Sequence, residues 1–230
     1  MGGIGSRIAL GLAAAVAVFG VMAGSANAAA TIQSDPTAYA FLPGPYTQGL
    51  GEEAIFDNSA STSYHDIRAN QVGPDGNPLF YADAAPGGTV KVVEGTQYLK
   101  SGTYPFYCVL HGLSMSGELT IDGSTGTIVA RPAVKVSFAK QKLKQVRKSG
   151  IRVKVKAVSA AKNVTLNAYK GKAGLGMKQH LNFKAGQTKT VTIPLSKAGR
   201  KAIKKGKSAK IKVKASVLFG KPSTATRKVK

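Results

Sequence analysis

Polar and apolar residues alternate along several stretches of this chain, most plainly in IRVKVKAV at 151–158. In an extended backbone Ile151, Val153, Val155 and Ala157 fall on one side, and Arg152, Lys154 and Lys156 on the other. That pattern describes a sheet with one packed face and one solvated face. AVKVSF at 133–138, NVTLNAY at 163–169, TKTVTIPL at 188–195 and AKIKVKASV at 209–217 extend it. Ser196 to Lys205 interrupts the alternation and predicts one short helical stretch with Ser196 as its N-cap. Earlier in the chain the apolar runs are shorter: AIF at 54–56, SYHDIRA at 63–69, PLFYA at 78–82, TVKVV at 89–93, GTYPFYCVL at 102–110, GELTI at 117–121 and GTIVA at 126–130. Turns separate many of them, LPGP at 42–45, GPDGN at 73–77, APGG at 85–88 and DGSTG at 122–126. In TVKVV, Val90 and Val92 are expected to pack while Lys91 faces water. Strands at this spacing predict an all-β protein made of two consecutive β-sandwiches.

The amino terminus follows a different rule. Ile8 to Met22 is a continuous apolar run behind a single Arg7, and Ala26-Asn27-Ala28 follows with small residues. This is the layout of a secretory signal over residues 1–28, leaving a mature, exported chain from Ala29. The run is shorter than the roughly 20 residues that span a bilayer.

Charge divides what remains. All 10 acidic residues lie between Asp35 and Asp122, and residues 29–130 carry a formal −7. Residues 131–230 hold 29 Lys or Arg and no acid. So complete a reversal predicts two domains, 29–130 and 131–230. A single cysteine excludes an internal disulfide framework and a four-cysteine zinc site. Three histidines exclude a multi-copper oxidase cluster.

The candidate chemistry lies in GTYPFYCVLHGLSMSGELTI at 102–121. A strand ends at Cys108, His111 follows on what reads as a tight loop, Met115 comes four residues later, and a second strand is expected from about Gly117. Tyr104, Phe106 and Cys108 share one strand face, which sets the sulfur at the edge of an aromatic core. A trigonal copper site takes one thiolate, two imidazoles and a weak axial thioether. The loop lacks only one imidazole, and His65 is the other histidine of the acidic half. Zinc could use two histidines and a cysteine, but methionine is a poor zinc ligand and no carboxylate is placed as a base.

With His65-Asp66-Ile67, GTYPFYC, Cys-x2-His-x3-Met and the return strand ending at Ile121, residues 32–130 resemble the cupredoxins, the blue copper proteins of plastocyanin, amicyanin and azurin type. The resemblance implies a Greek-key β-sandwich and one type 1 copper ion bound by His65, Cys108, His111 and Met115. It also implies one-electron transfer with a redox partner protein through the His111 edge, ringed by Leu110, Gly112 and Leu113. At the position after the first histidine, plastocyanin-like domains commonly have Asn, and this chain has Asp66. A carboxylate there accepts hydrogen bonds but cannot donate them, and its charge is expected to lower the reduction potential.

The basic half predicts an immunoglobulin-like sandwich that docks on an anionic partner, an envelope polymer or a lipid surface. With 24 Lys, 5 Arg and only Phe138, Tyr169, Phe183 and Phe219 as aromatics, it lacks the means for sequence-specific nucleic-acid readout. A copper-holding or delivery protein, and an adhesion module on a cupredoxin scaffold, are the competing classes. An enzyme fits least, because a four-ligand copper leaves no position for a substrate.

Overall fold

The computed structural model describes residues 28–83 and 88–230. The expected signal segment, apart from its last residue, and most of the APGG turn lie outside them. Buried apolar side chains form two separate clusters, one between Ala30 and Ile121 and the other between Val134 and Val229. Among the described residues no helix is long and apolar enough to cross a membrane.

The first cluster lies between two sheets. One contains β1 (Thr31–Gln33), β3 (Ile55–Asp57) and β6 (Val90–Val92), in the order β1-β3-β6. The other contains β2 (Tyr46–Leu50), β4 (Asp66–Ala69), β5 (Tyr81–Asp83), β7 (Gly102–Cys108) and β8 (Gly112–Gly126), in the order β2-β8-β7-β4-β5. β1 pairs with β3, and β2 with β8, in parallel. Such pairs need long crossovers, and these close the sandwich.

Phe106 sits at the centre, fully buried, with ring centroids 5.1 Å from Phe41, 6.1 Å from Tyr46 and 6.4 Å from Phe80. Its cross-strand partner is Gly117, and a Cβ there would stand 2.6 Å from the ring. The aromatic ring covers the glycine backbone where a side chain would otherwise be.

Three expectations need correction. Val90 and Val92 do not pack, being 57% and 42% exposed. β6 is an edge strand, and Lys91 is the residue paired with the buried Phe56. Lys91 is itself exposed, as expected, and a lysine on an edge strand discourages further strand pairing. The return strand starts at Gly112 and not near Gly117, and it runs through the expected DGSTG turn. That turn survives as a bulge: the partners of Gly49 and Leu50 are Asp122 and Gly126, and Ser124 N–H donates to Asp122 Oδ1 at 2.8 Å. GTIVA forms no strand after Gly126, and Ile128 is 62% exposed on the connector.

The second cluster is enclosed by seven strands. β9 (Val134–Phe138), β10 (Ile151–Ala157) and β13 (Thr188–Ile193) form one sheet in the order β13-β10-β9. β11 (Ala161–Lys170), β12 (Ala173–Phe183), β14 (Ala209–Val217) and β15 (Gly220–Val229) form the other, in the order β12-β11-β14-β15. This is an immunoglobulin-like sandwich of three and four strands. α1 (Leu143–Ser149) and α2 (Lys197–Ile203) lie together at one end, where Arg147 of α1 donates to the carbonyl of Ile203 at 2.8 Å. Ser196 caps α2 as expected, its hydroxyl accepting from Gly199 N–H at 2.9 Å.

The halves meet through Phe219, at the tip of the β14–β15 hairpin. Its ring lies 5.9 Å from Tyr81 and 5.8 Å from Tyr98, its N–H donates to Asp75 Oδ2 at 2.8 Å, and Arg131 Nη1 donates to its carbonyl at 3.3 Å. Gly95 makes room, since a Cβ there would lie 2.6 Å from the Phe219 ring.

Gly117→Ala is expected to destabilise the protein by about 1–3 kcal/mol, because the methyl would press on a ring that cannot leave the core. Thermal unfolding of the variant beside the parent measures it.

Candidate metal centre

The hairpin β7–β8 builds most of the site. β7 delivers Cys108 with its side chain inward, fully buried. Residues 109–111 make the turn, and Gly112, with φ +62°, pairs with Cys108 to begin β8. Only His111 therefore lies in the turn, and Met115 belongs to β8. The register shifts after the Tyr107–Ser116 pair, so Leu113–Met115 bulge beside Cys108. Met115 is fully buried in the same apolar cluster as Cys108. A bulge of this kind re-aims side chains, here turning a thioether into the core.

His65 comes from the segment just before β4 and is wholly buried. Its Nδ1 faces His111 Nδ1 at 3.3 Å, and His111 Nδ1 is 3.4 Å from Cys108 Sγ. Among the described residues, His65, Cys108 and His111 thus form a cluster whose ligand atoms lie within 4.8 Å of one another. Two ring nitrogens and a sulfur turned on one point form a donor set that a single cation could share. Burial, then the neighbouring His111, hold the His65 pKa below the ordinary histidine value, which favours the neutral, ligating form. Burial pushes the Cys108 thiol up, against the backbone N–H groups of Asp66, Leu110 and His111 that stabilise a thiolate. A soft metal cation is the group that converts such a thiol to thiolate. The donor set fits copper better than a hard ion.

Asp66 holds the two parts of the site together. Its Oδ1 accepts from Val109 N–H at 2.7 Å, linking β4 to the turn that carries His111. The acceptor role expected of this carboxylate is the one it fills. Its charge is not left bare: Arg68 Nε is 3.4 Å from Oδ2, and Arg68 also pairs with Asp83. The guanidinium offsets part of the negative charge that Asp66 brings near the cluster.

Tyr39 is the residue that sequence reasoning missed. Its ring stacks on His111 at a centroid distance of 4.2 Å and an interplanar angle of 14°, and meets His65 edge-on at 6.2 Å. It comes from an irregular loop with no period to mark it. The only local signal is Asp35, whose Oδ1 accepts from Thr37 N–H and Ala38 N–H, each at 2.8 Å, and so folds the loop back. Around the turn, Leu110 and Leu113 are 60% and 71% exposed.

Comparison with known proteins bears on the same residues. The chain is 33% identical over 95 residues to a plastocyanin of Rumex obtusifolius, a match that covers 38% of this chain and 92% of that protein. The chain belongs to the cupredoxin family. Two solved cupredoxin-type structures are more distant. A dithionite-reduced auracyanin from Roseiflexus castenholzii is 18% identical over 40% of this chain and 94% of its own, with a TM-score of 0.32. A purple cupredoxin from Nitrosopumilus maritimus is 19% identical over 40% and 99%, with a TM-score of 0.31. No protein-family model matches the chain. The cupredoxin relationship accounts for less than half of the sequence, and the basic sandwich is an addition to it.

Asp66→Ala is expected to cost about 1–3 kcal/mol, the price of a part-buried N–H left without its acceptor. Asp66→Asn, which keeps a carbonyl oxygen for Val109, should recover most of that loss. Urea denaturation of the metal-free forms separates the two.

Proposed function

We propose that this cupredoxin is an exported one-electron carrier that uses a single type 1 copper ion held by His65, Cys108, His111 and Met115. The convergence of His65 Nδ1, His111 Nδ1 and Cys108 Sγ supports the reading most strongly, in a chain 33% identical over 95 residues to a plastocyanin. Bound copper supplies a reversible change of one electron between Cu(II) and Cu(I).

The chain's own groups supply the rest. Cys108 offers the soft anionic donor, and His65 and His111 offer neutral nitrogens. Met115, buried beside Cys108, would offer a weak thioether donor that tunes the potential. The hairpin, Asp66 and the aromatic core hold these groups in one arrangement, so little needs to move when the charge changes. Four protein donors leave no position for a substrate, which favours a carrier over a catalyst. Leu110, Leu113 and the stacked Tyr39–His111 pair form the apolar end on which a redox partner protein would rest. Residues 131–230, with 29 cations and no acid, would dock the carrier on an anionic partner outside the cytoplasm.

Addition of Cu(II) to the mature chain should give an intense visible charge-transfer band and narrow copper hyperfine splitting. Cys108→Ser should abolish the band, because a hydroxyl cannot replace a thiolate. A colourless parent protein with stoichiometric Cu(II) would remove the type 1 assignment.

Met115→Leu is expected to retain copper and raise the reduction potential by removing a donor to Cu(II), as read by voltammetry. An unchanged spectrum and potential would make Met115 a packing residue.

A further inference from the structure

The outer faces of the basic sandwich repeat one design. In one sheet the central strand β10 exposes Arg152, Lys154 and Lys156 in a row. Hydroxyls flank the row: Thr192 opposite Arg152, Thr190 and Ser137 on either side of Lys154, and Thr188 opposite Lys156. In the other sheet the inner strand β14 exposes Lys210, Lys212 and Lys214. Thr226 stands opposite Lys212 and Thr224 opposite Lys214. Each row ends in a like-charge pair directly across the ladder, Lys156 with Lys135 and Lys210 with Lys228. Such pairs destabilise a sheet unless an anion lies over them. Among the described residues, ion pairs are confined to Arg68 with Asp66 and Asp83, in the other half.

Distances decide how the rows act. Alternate residues on a strand are about 6.7 Å apart, inside the screening length of roughly 8 Å at physiological ionic strength. Three neighbouring cations therefore attract an anionic chain as one unit. The two sheets stack about 10 Å apart and their rows point away from each other, so the rows are screened from one another. Each is an independent site. A flat membrane can touch only one of two opposed faces, and neither row carries an apolar side chain to insert among lipids. Lysine ammonium groups beside threonine hydroxyls suit phosphate as point-charge donors, and with so little Arg or aromatic surface they suit no base readout.

Resting on the reading that residues 131–230 dock on an anionic partner, we infer that this sandwich is bivalent and bridges two segments of a linear phosphate-bearing polymer, one across β10 and one across β14. The test uses the full copper-loaded chain and long-chain inorganic polyphosphate at low salt. The parent should bind and cross-link the polymer, seen as a rise in light scattering that added salt reverses. Gln at Lys210, Lys212 and Lys214 together, or at Arg152, Lys154 and Lys156 together, should keep binding but abolish the scattering. Removing all six cations should weaken binding by at least about tenfold. The visible copper band and circular dichroism report that each variant is folded. Lys197→Gln, Lys201→Gln and Lys204→Gln together, which remove the same charge from α2 and its C-cap, should leave cross-linking intact.

Binding without cross-linking by the parent, or loss of all binding from one triple variant alone, would overturn bivalency while leaving the docking reading in place. An equal effect from the α2 variant would overturn the assignment to the rows. Failure to bind polyphosphate at any salt, or binding confined to vesicles of anionic phospholipid, would overturn the polymer itself, and failure to bind either probe would remove the docking reading as well.

Discussion

One hydrogen bond, from Val109 N–H to Asp66 Oδ1, joins the two stretches of chain that must meet for the His65, Cys108 and His111 cluster to form. His65 arrives just before β4 and His111 on the turn after β7, 46 positions apart. Backbone pairing between β4 and β7 involves only Arg68 with Tyr107 and Ala69 with Phe106, so the ladder stops short of both histidines. The Asp66 carboxylate continues the connection where the ladder ends. A neutral amide could accept the same bond, but it would forgo the Arg68 guanidinium that ties this carboxylate to Asp83 and the sheet edge. The chain thereby exchanges some electrostatic neutrality near the cluster for a stiffer frame.

The two sandwiches solve the problem of a small β-protein differently. The cupredoxin half relies on large aromatic side chains, with Phe41, Phe56, Phe80 and Phe106 buried together, and it tolerates short strands and irregular loops around them. The basic half has regular strands and a core of Val, Ile, Leu and Ala, with each buried residue followed by an exposed one along β10 and most of β14. Loops are where polar groups converge, so the irregular half holds the chemistry. Regular strands repeat a side chain at fixed intervals, so the regular half displays charge.

Legibility in the sequence followed the same division. AKIKVKASV coincides with β14 from end to end, and IRVKVKAV misses β10 by one residue, because strict alternation leaves one packing solution. Cys108, His111 and His65 were identifiable from residue type and scarcity, and the structure brings them together. Met115 reads as a loop residue and lies in a strand, because nothing in SMSGEL marks a bulge. β12 and β15 were not foreseen: AGLGMKQHLNF and GKPSTATRKV lack alternation, and their pairing with β11 and β14 imposes the extended form. Val90, Val92 and Tyr39 escaped for a related reason. A side chain on an edge strand or a loop takes its surroundings from distant parts of the chain, which local pattern does not encode.

Phe219 occupies a telling place. Asp75, which receives its N–H, lies in the turn beyond the Ala69 end of β4, whereas His65 precedes the Asp66 end. The hairpin tip therefore grips the cupredoxin half at the pole opposite its histidines. The molecule has a moored pole and a free pole. The imidazole end points away from the Phe219 contact, and there Leu110 and Leu113 stand exposed.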